Sequence, residues 1–388
     1  MQNIKIAQLP FYWRLVSREE KVDGIVDSKY PFSFDFNREL GLVIQRRDTQ
    51  VLAALEKIYQ LGHNIGYLQD ANELARPYGT DFIRYLNNVL VKNVNIRRIL
   101  EIGCGGCVVL ADLKNRGFDV LGIDSSPFAA LEGTKKGVEV LTDFFPSQRI
   151  EGTYDLIFHV DVLEHIEDPV SFLKHHYTRL NDNGLVVVNV PDATESIQLG
   201  DISMAMHQHL NYFTLKSLAR TLQAADFEVV SVDKAKYGGS LYAIGRRRAQ
   251  TSHAANVYAR FHEEVYEAFI AKAIKMVDAM RSLIKEITSN SENTLGFYVP
   301  LRSLPYIATL QIHYPFRFFD DTPHWHHREF DGVDVRVENF EDLRARPVTH
   351  IIIMSLTFDH IIRKKIHAEF GETIQVMSLS EVAHRTNQ

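Results

Sequence analysis

The sequence predicts an α/β protein: a doubly wound, mostly parallel sheet, preceded by a helical cap and followed by a smaller α/β unit. Three observations carry this. From Arg98 onward, apolar runs of strand length alternate with helical patterns, the signature of a parallel sheet covered on both faces. A glycine-rich turn follows the first run, and about twenty residues later an aspartate ends the second. The length of 388 residues also exceeds a single core of about 100 to 200, so several domains are expected.

Taken in order, residues 1–95 mix aromatic loop segments (PFYWRL, YPFSFDF) with helical patterns at RDTQVLAALEKIYQLG and from Asp70 to Val91, read together as the helical cap. In residues 96–248 the strand runs are RRILEIG, DVLGID, VEVLTD, YDLIFHVD, GLVVVNVP, FEVVSVD and SLYAIGRR. Helices fit between them at 107–116, 127–135, 169–180 and 214–225, and Asp182-Asn183-Gly184 marks a turn before the fifth strand. Only Lys236 to Ser240 join the sixth and seventh runs. So short a link requires an antiparallel pair, so the last strand should run against the others. Over residues 249–291, Val257, Phe261, Val265, Phe269, Met276, Met280, Ile284 and Ile287 recur at helical spacing, predicting a long helix that packs against its flanking units. Residues 292–388 form the smaller α/β unit, with strands LGFYV, FRFFD, VDVRV and HIIIMS and helices near 339–345 and 358–369.

Composition excludes several functions. The 45% hydrophobic and 24% charged fractions are those of a globular chain, and a net charge of -6 without long basic runs gives no footprint for nucleic acid. Cys104 and Cys107 are the only cysteines, which rules out a disulfide framework or a cysteine zinc site. No apolar run is long enough for a membrane span, and the first residues lack the apolar core of a signal peptide, so a cytoplasmic protein with no membrane partner is expected. His324, His326 and His327 lie beside Asp320 and Asp321, but the segment reads as a loop, and no metal is expected there or elsewhere in the chain.

The densest chemical signal is Glu101-Ile102-Gly103-Cys104-Gly105-Gly106-Cys107 with Asp124 after it. A backbone that turns sharply and touches a ligand has no room for a Cβ, and an aspartate at a strand end suits ribose hydroxyls. A dinucleotide fingerprint starting at Gly103 would need glycine at Val108, and a P-loop would need Gly-Lys-Ser/Thr; both are absent. What remains resembles the first motif of the class I S-adenosylmethionine-dependent methyltransferases, E/D-x-G-x-G-x-G, with Cys107 in the last position. The resemblance implies a Rossmann-like seven-stranded sheet with its last strand antiparallel, and S-adenosylmethionine as cofactor. It implies cofactor contacts at Glu101, Gly103, Gly105, Asp124 and Ser125, with Asp143 and Phe144 around the adenine. The segment from His159 to Pro169 resembles the one that closes over the cofactor, which makes His159 a further contact. Asp143 also reads as a turn residue, and Glu164 and His165 as polar residues starting a helix.

A narrower resemblance lies outside the core. His207-Gln208-His209-Leu210-Asn211-Tyr212-Phe213-Thr214 and Tyr237-Gly238-Gly239-Ser240-Leu241 resemble the H-E-H-x-x-Y-F-S and H-G-G-S-L segments of the bacterial nucleotide-sugar C-methyltransferases. Asp320-Asp321-Thr322-Pro323 and the stretch from Ser355 to Ile362 resemble that family's C-terminal D-x-N-P and W-N-F-x-x-E-I segments. The likeness implies transfer to carbon of a nucleotide-linked keto sugar, with His209 as general base and His207 and Tyr212 beside it. The departures are specific. The family's N-terminal zinc ribbon has no cysteines here, and YPFSFDFNRELGLVIQ is read as its metal-free remnant. Met206 and Gln208 replace a tyrosine and a glutamate, and Phe297 to Ser303 replaces a Y-G-A-x-x-K-G loop. O- or N-methylation of a sugar or secondary metabolite therefore stays open, as does a non-catalytic cofactor-binding scaffold.

Overall fold

The computed structural model describes residues 3–11, 15–16, 29–61, 75–248, 264–312, 314–330 and 335–385. The N-terminal part is not a helical cap. Strands β1 (Lys5–Pro10), β3 (Lys29–Asn37) and β4 (Leu42–Gln45) form an antiparallel sheet, with β2 (Leu15–Val16) outside it, before helices α1 (Thr49–Leu61) and α2 (Ala75–Lys92). Period-two alternation in YPFSFDF explains the difference: Tyr30, Phe32 and Phe34 are buried while the residues between them are not. Of the helix expected from Asp70, residues 70–74 lie outside the described residues.

The central domain follows the expected alternation: β5 (Arg98–Ile102), α3 (Val108–Asn115), β6 (Asp119–Asp124), α4 (Pro127–Lys136), β7 (Val140–Thr142), β8 (Tyr154–Val160), α5 (Pro169–Arg179) and β9 (Leu180–Pro191). Then come α6 (Thr194–Leu199), β10 (Asn211–Tyr212), α7 (Leu215–Ala224), β11 (Glu228–Lys234) and β12 (Ser240–Arg246). The sheet order is β11-β12-β9-β8-β5-β6-β7. β12 runs antiparallel to β9 and β11, and the pairs from β9 to β7 are parallel, as the short Lys236–Ser240 link required. The expected turn at Asp182-Asn183-Gly184 is an irregularity inside β9, where Asn183 is left-handed (φ 63°). Local signals fix the helices: Ser126 caps α4 with Pro127 at its first position, Asp168 caps α5 before Pro169, and Thr214 with Ser217 forms a capping box on α7. One face of the sheet packs against α2 and α3, the other against α5 and α7.

After the central domain come α8 (Glu264–Thr288), β13 (Leu295–Tyr298), α9 (Pro300–Leu310), β14 (Arg317–Phe319), β15 (Glu329–Phe330), β16 (Val337–Glu338), α10 (Phe340–Ala345), β17 (His350–Ile353), α11 (Asp359–Phe370), β18 (Gln375–Ser378) and α12 (Leu379–His384). In the predicted long helix, Val257 and Phe261 fall outside the described residues, and Val265 is 57% exposed; Tyr266, Phe269, Ile270 and Ala273 begin the buried stripe instead. The C-terminal strands form a parallel sheet of order β16-β14-β13-β17-β18, while β15 pairs with β2. This unit is not independent. One continuous core joins Ile6, Phe32 and Phe34 of the N-terminal sheet, the apolar stripe of α8, and Leu295, Phe297 and Ile352 of the C-terminal sheet. Among the described residues, no helix is long and apolar enough to cross a membrane.

Candidate active site

In an open α/β sheet ligands bind beyond the carboxyl ends of the strands, where the strand order reverses. Here that point lies between β5 and β8, and the loops after them touch: a Cβ on Gly103 would sit 2.6 Å from Val162 Cγ2. Gly103 is left-handed (φ 71°), so its backbone and the approach of Val162 both require glycine. At Gly105 a Cβ would meet nothing within 4 Å, which leaves open space above the turn. Cys107 is left-handed too (φ 55°), fully buried, and caps α3 at the position where the motif has glycine.

Asp124 ties this turn together. One of its carboxylate oxygens accepts the Gly105 N–H at 2.9 Å and the other the Ser126 N–H at 2.8 Å, which leaves lone pairs on both for a ligand. Glu101 is buried, its Oε2 has no hydrogen-bond partner, and burial pushes its carboxyl well above the usual carboxylate range. The Ser125 hydroxyl reaches the Tyr59 carbonyl at 3.4 Å, bringing the end of α1 to this edge. Asp143 closes its own turn, accepting from Ser147 Oγ at 2.6 Å and the Phe144 N–H at 2.8 Å, beside a Phe144 ring that is 42% exposed. An orphaned buried carboxylate oxygen, open space over Gly105 and free lone pairs on Asp124 suit a cofactor carrying an amino group and a ribose.

His159 does not join this cradle. It shares a face with Ile157 by strand alternation, so its ring lies fully buried against Phe172 and His176 of α5, at centroid distances of 5.8 and 5.3 Å. His207 also leaves the expected catalytic set. His207 is enclosed by Phe11, Tyr30 and Phe32 at 5.6–5.9 Å, with Nε2 3.4 Å from the Leu9 carbonyl. Tyr212 pairs with Val43 as part of β10 and packs on Phe34 at 5.4 Å, yet its ring also meets that of His209 edge-on at 6.5 Å, as expected. The alternation that makes YPFSFDF a strand turns its aromatic face onto both residues.

His209 stays at the crevice, half-buried. Its loop is held from the N-terminal sheet: Arg47 donates to the carbonyls of Leu210 and Glu167, both at 2.9 Å. Asn211 Nδ2 donates to the Ile166 carbonyl at 2.6 Å, and the Gln45 amide, with its nitrogen turned inward, reaches the His207 and His209 carbonyls at 3.1 and 3.2 Å. The His209 ring lies 5.1 Å from that of His165, and burial followed by His165 and Arg302 lowers its pKa well below 6.5.

Two residues the sequence reading passed over stand at the same edge. Asp161, just past β8 with a left-handed backbone (φ 53°), accepts the Tyr78 hydroxyl on both carboxylate oxygens at 2.8 and 2.9 Å. The Tyr78 hydroxyl also meets Asn189 Oδ1 and Ser240 Oγ, each at 3.2 Å, and a Cβ on Gly238 would strike the Tyr78 ring at 2.4 Å. Burial raises the Asp161 carboxyl to about 6. The one usable signal in the sequence was Asp161 ending the fourth strand run, as Asp124 ends the second.

Comparison with known proteins identifies the central domain. A family model described as a methyltransferase domain matches residues 62–232. The chain carries a class I S-adenosylmethionine-dependent methyltransferase domain. Its enzyme class and cofactor are therefore those of the methyltransferases that use S-adenosylmethionine. The chain is 23% identical over 340 residues to C-methyltransferase NovU of Streptomyces niveus, covering 82% of this chain and 78% of that one. It is 29% identical over 121 residues to the mitochondrial ubiquinone biosynthesis O-methyltransferase of Schizosaccharomyces pombe, covering 29% of this chain and 44% of the relative. Among solved structures, the 1,6-didemethyltoxoflavin-N1-methyltransferase of Burkholderia thailandensis is 18% identical with a TM-score of 0.38, over 53% of this chain and 96% of that one. In this domain Glu101, Gly103, Gly105, Asp124, Ser125 and the Asp143–Phe144 turn are the residues that could hold the cofactor.

Proposed function

We propose that the chain methylates a small oxygen-bearing acceptor, a nucleotide-linked keto sugar at carbon, bound over the crevice between the ends of β5 and β8. The observation that carries this is the reach of the likeness to C-methyltransferase NovU. It spans 82% of the chain, more than the central domain alone holds, whereas the S. pombe O-methyltransferase matches 29%. The segments around His207–Thr214 and Tyr237–Leu241 support the same acceptor class.

When bound, S-adenosylmethionine supplies an activated methyl; the work left to the chain is to align the acceptor, exclude water and take a proton. Alignment alone is worth up to about 7–11 kcal/mol. A carbon beside a carbonyl must lose a proton before it can take a methyl, and we assign that proton to Asp161. Its carboxyl, raised to about 6, lies close to working pH, where a general base is most effective, and the Tyr78 hydroxyl fixes its orientation. His209, the base expected from the family resemblance, is the second reading, favoured by its half-buried ring at the crevice. Burial lowers its pKa below 6.5.

Solvent-deuterium exchange tests this. With a nucleotide-linked keto sugar and no cofactor, deuterium should enter beside the carbonyl and disappear in Asp161→Asn. Loss in His209→Asn alone moves the base to His209, and methylation of oxygen without any exchange removes the carbon acceptor.

A further inference from the structure

Beside Asp161 the crevice holds a cluster that the proton transfer does not use. Glu164 is 1% exposed, and neither of its carboxylate oxygens has a hydrogen-bond partner. A buried carboxyl left this way is costly unless something completes it. His165, next in the chain, donates its Nδ1–H to the Gln208 carbonyl at 2.7 Å, which turns the lone pair of Nε2 toward Glu164 Oε1, 3.6 Å away. The half-buried His209 ring faces His165 edge-on, and one ligand atom from each of the three residues lies within 4.8 Å of the others. Ligands about 2.0–2.2 Å from a tetrahedral ion stand roughly 3.3–3.6 Å apart, so the Glu164–His165 spacing already fits and His209 needs only a small ring movement. The nearby charges are Asp161 and Glu164 on one side and Arg302 of α9 on the other.

We propose that Glu164, His165 and His209 form a site for one divalent transition-metal ion, zinc or a zinc-like ion, with its open positions facing the crevice. Two histidines and one glutamate make a ligand set that leaves room for an outside oxygen, and the Nδ1–H bond to a backbone carbonyl is the outer contact that orients a ligating histidine. Resting on the acceptor reading above, the ion takes an acceptor oxygen and polarises its carbonyl while Asp161 takes the proton. A ligating His209 cannot accept a proton on the same nitrogen, so this assignment excludes the second reading of the base.

The full chain, free of any histidine tag and stripped with chelator, is titrated with Co²⁺ alone and followed by visible absorption. One Co²⁺ per chain should give saturable bands that Zn²⁺ displaces. Glu164→Gln and His209→Asn should each weaken Co²⁺ binding by roughly 10- to 100-fold while S-adenosylmethionine affinity by calorimetry stays within about threefold. His326→Ala should change nothing, and His165→Gln replaces Glu164→Gln if that variant does not fold. A flat Co²⁺ spectrum from folded wild-type protein overturns the site, as does binding lost in His326→Ala but kept in the crevice variants. Because no acceptor is needed, Co²⁺ binding without methylation of keto sugars sinks only the acceptor assignment. Full-rate methylation in chelator with a flat Co²⁺ spectrum sinks only the metal.

Discussion

The two halves of the crevice are built by opposite means. The half we assign to the cofactor comes from residues 101–126 and the nearby Asp143–Phe144 turn, and its key contacts run from backbone amides to Asp124. The half we assign to the acceptor comes from scattered segments: Tyr78 on α2, Asp161 and Glu164 after β8, Asn189 on β9, Ser240 on β12 and the His209 loop. A half made of backbone and glycine tolerates few substitutions but depends on few residues. A half assembled from distant side chains can change one member at a time, so acceptor preference is free to vary while the cofactor stays the same.

Breaking each half should give different signatures. The largest effect is expected from Asp161→Asn, which should lower turnover by about 10²- to 10⁴-fold while leaving cofactor affinity within about threefold. In wild type the same group sets the pH profile: the ionised carboxylate is the active form, so kcat/KM should rise with pH and level off above about 6. A flat profile between pH 5 and 7 would detach Asp161 from proton transfer. On the cofactor side, Asp124→Ala removes both the brace on Gly105 and the ribose acceptor, and calorimetry should show binding of S-adenosylmethionine weakened by about 2–4 kcal/mol. Gly103→Ala should cost about 1–3 kcal/mol of stability through its left-handed backbone and the Val162 contact, read as a fall in Tm. Cys107→Gly should be the mildest. It restores the motif and relieves a left-handed non-glycine residue, so cofactor affinity should change by less than about threefold. A large loss there would show that the Cys107 side chain, and not only its backbone, shapes the turn.

Legibility in the sequence divides along the same line. The alternation of strands and helices, the antiparallel last strand and the Gly103–Asp124 turn are local patterns, and all appear in the structure. The N-terminal sheet is hard to read from sequence because its strands are rich in aromatic residues, and in YPFSFDF only the period-two alternation separates a strand from a loop. β18 and α12 were not anticipated either: Gln375–Ser378 is bounded by polar residues, and α12 follows it at once with Ser378 as its cap. At the site, His159 was misplaced because a strand position names a face only once the register is known. The burial of His207 was not legible because the strand that covers it, β3, is remote in the chain. The Tyr78–Asp161 pair spans 83 residues, and no spacing rule reaches that far.

A graft that followed the residue limits of the methyltransferase domain would fail mechanically. β10 lies inside that domain by sequence, yet its hydrogen-bonded partner is β4, and the loop leading into it hangs from Gln45 and Arg47. A fragment starting at residue 96 would carry the His209 loop without its anchor. The interchangeable cassette is instead the β3–β4 hairpin, residues 29–45, together with Arg47 and the 206–212 loop. Transplanted as one piece between related chains, it moves one wall of the acceptor pocket and leaves the cofactor turn untouched.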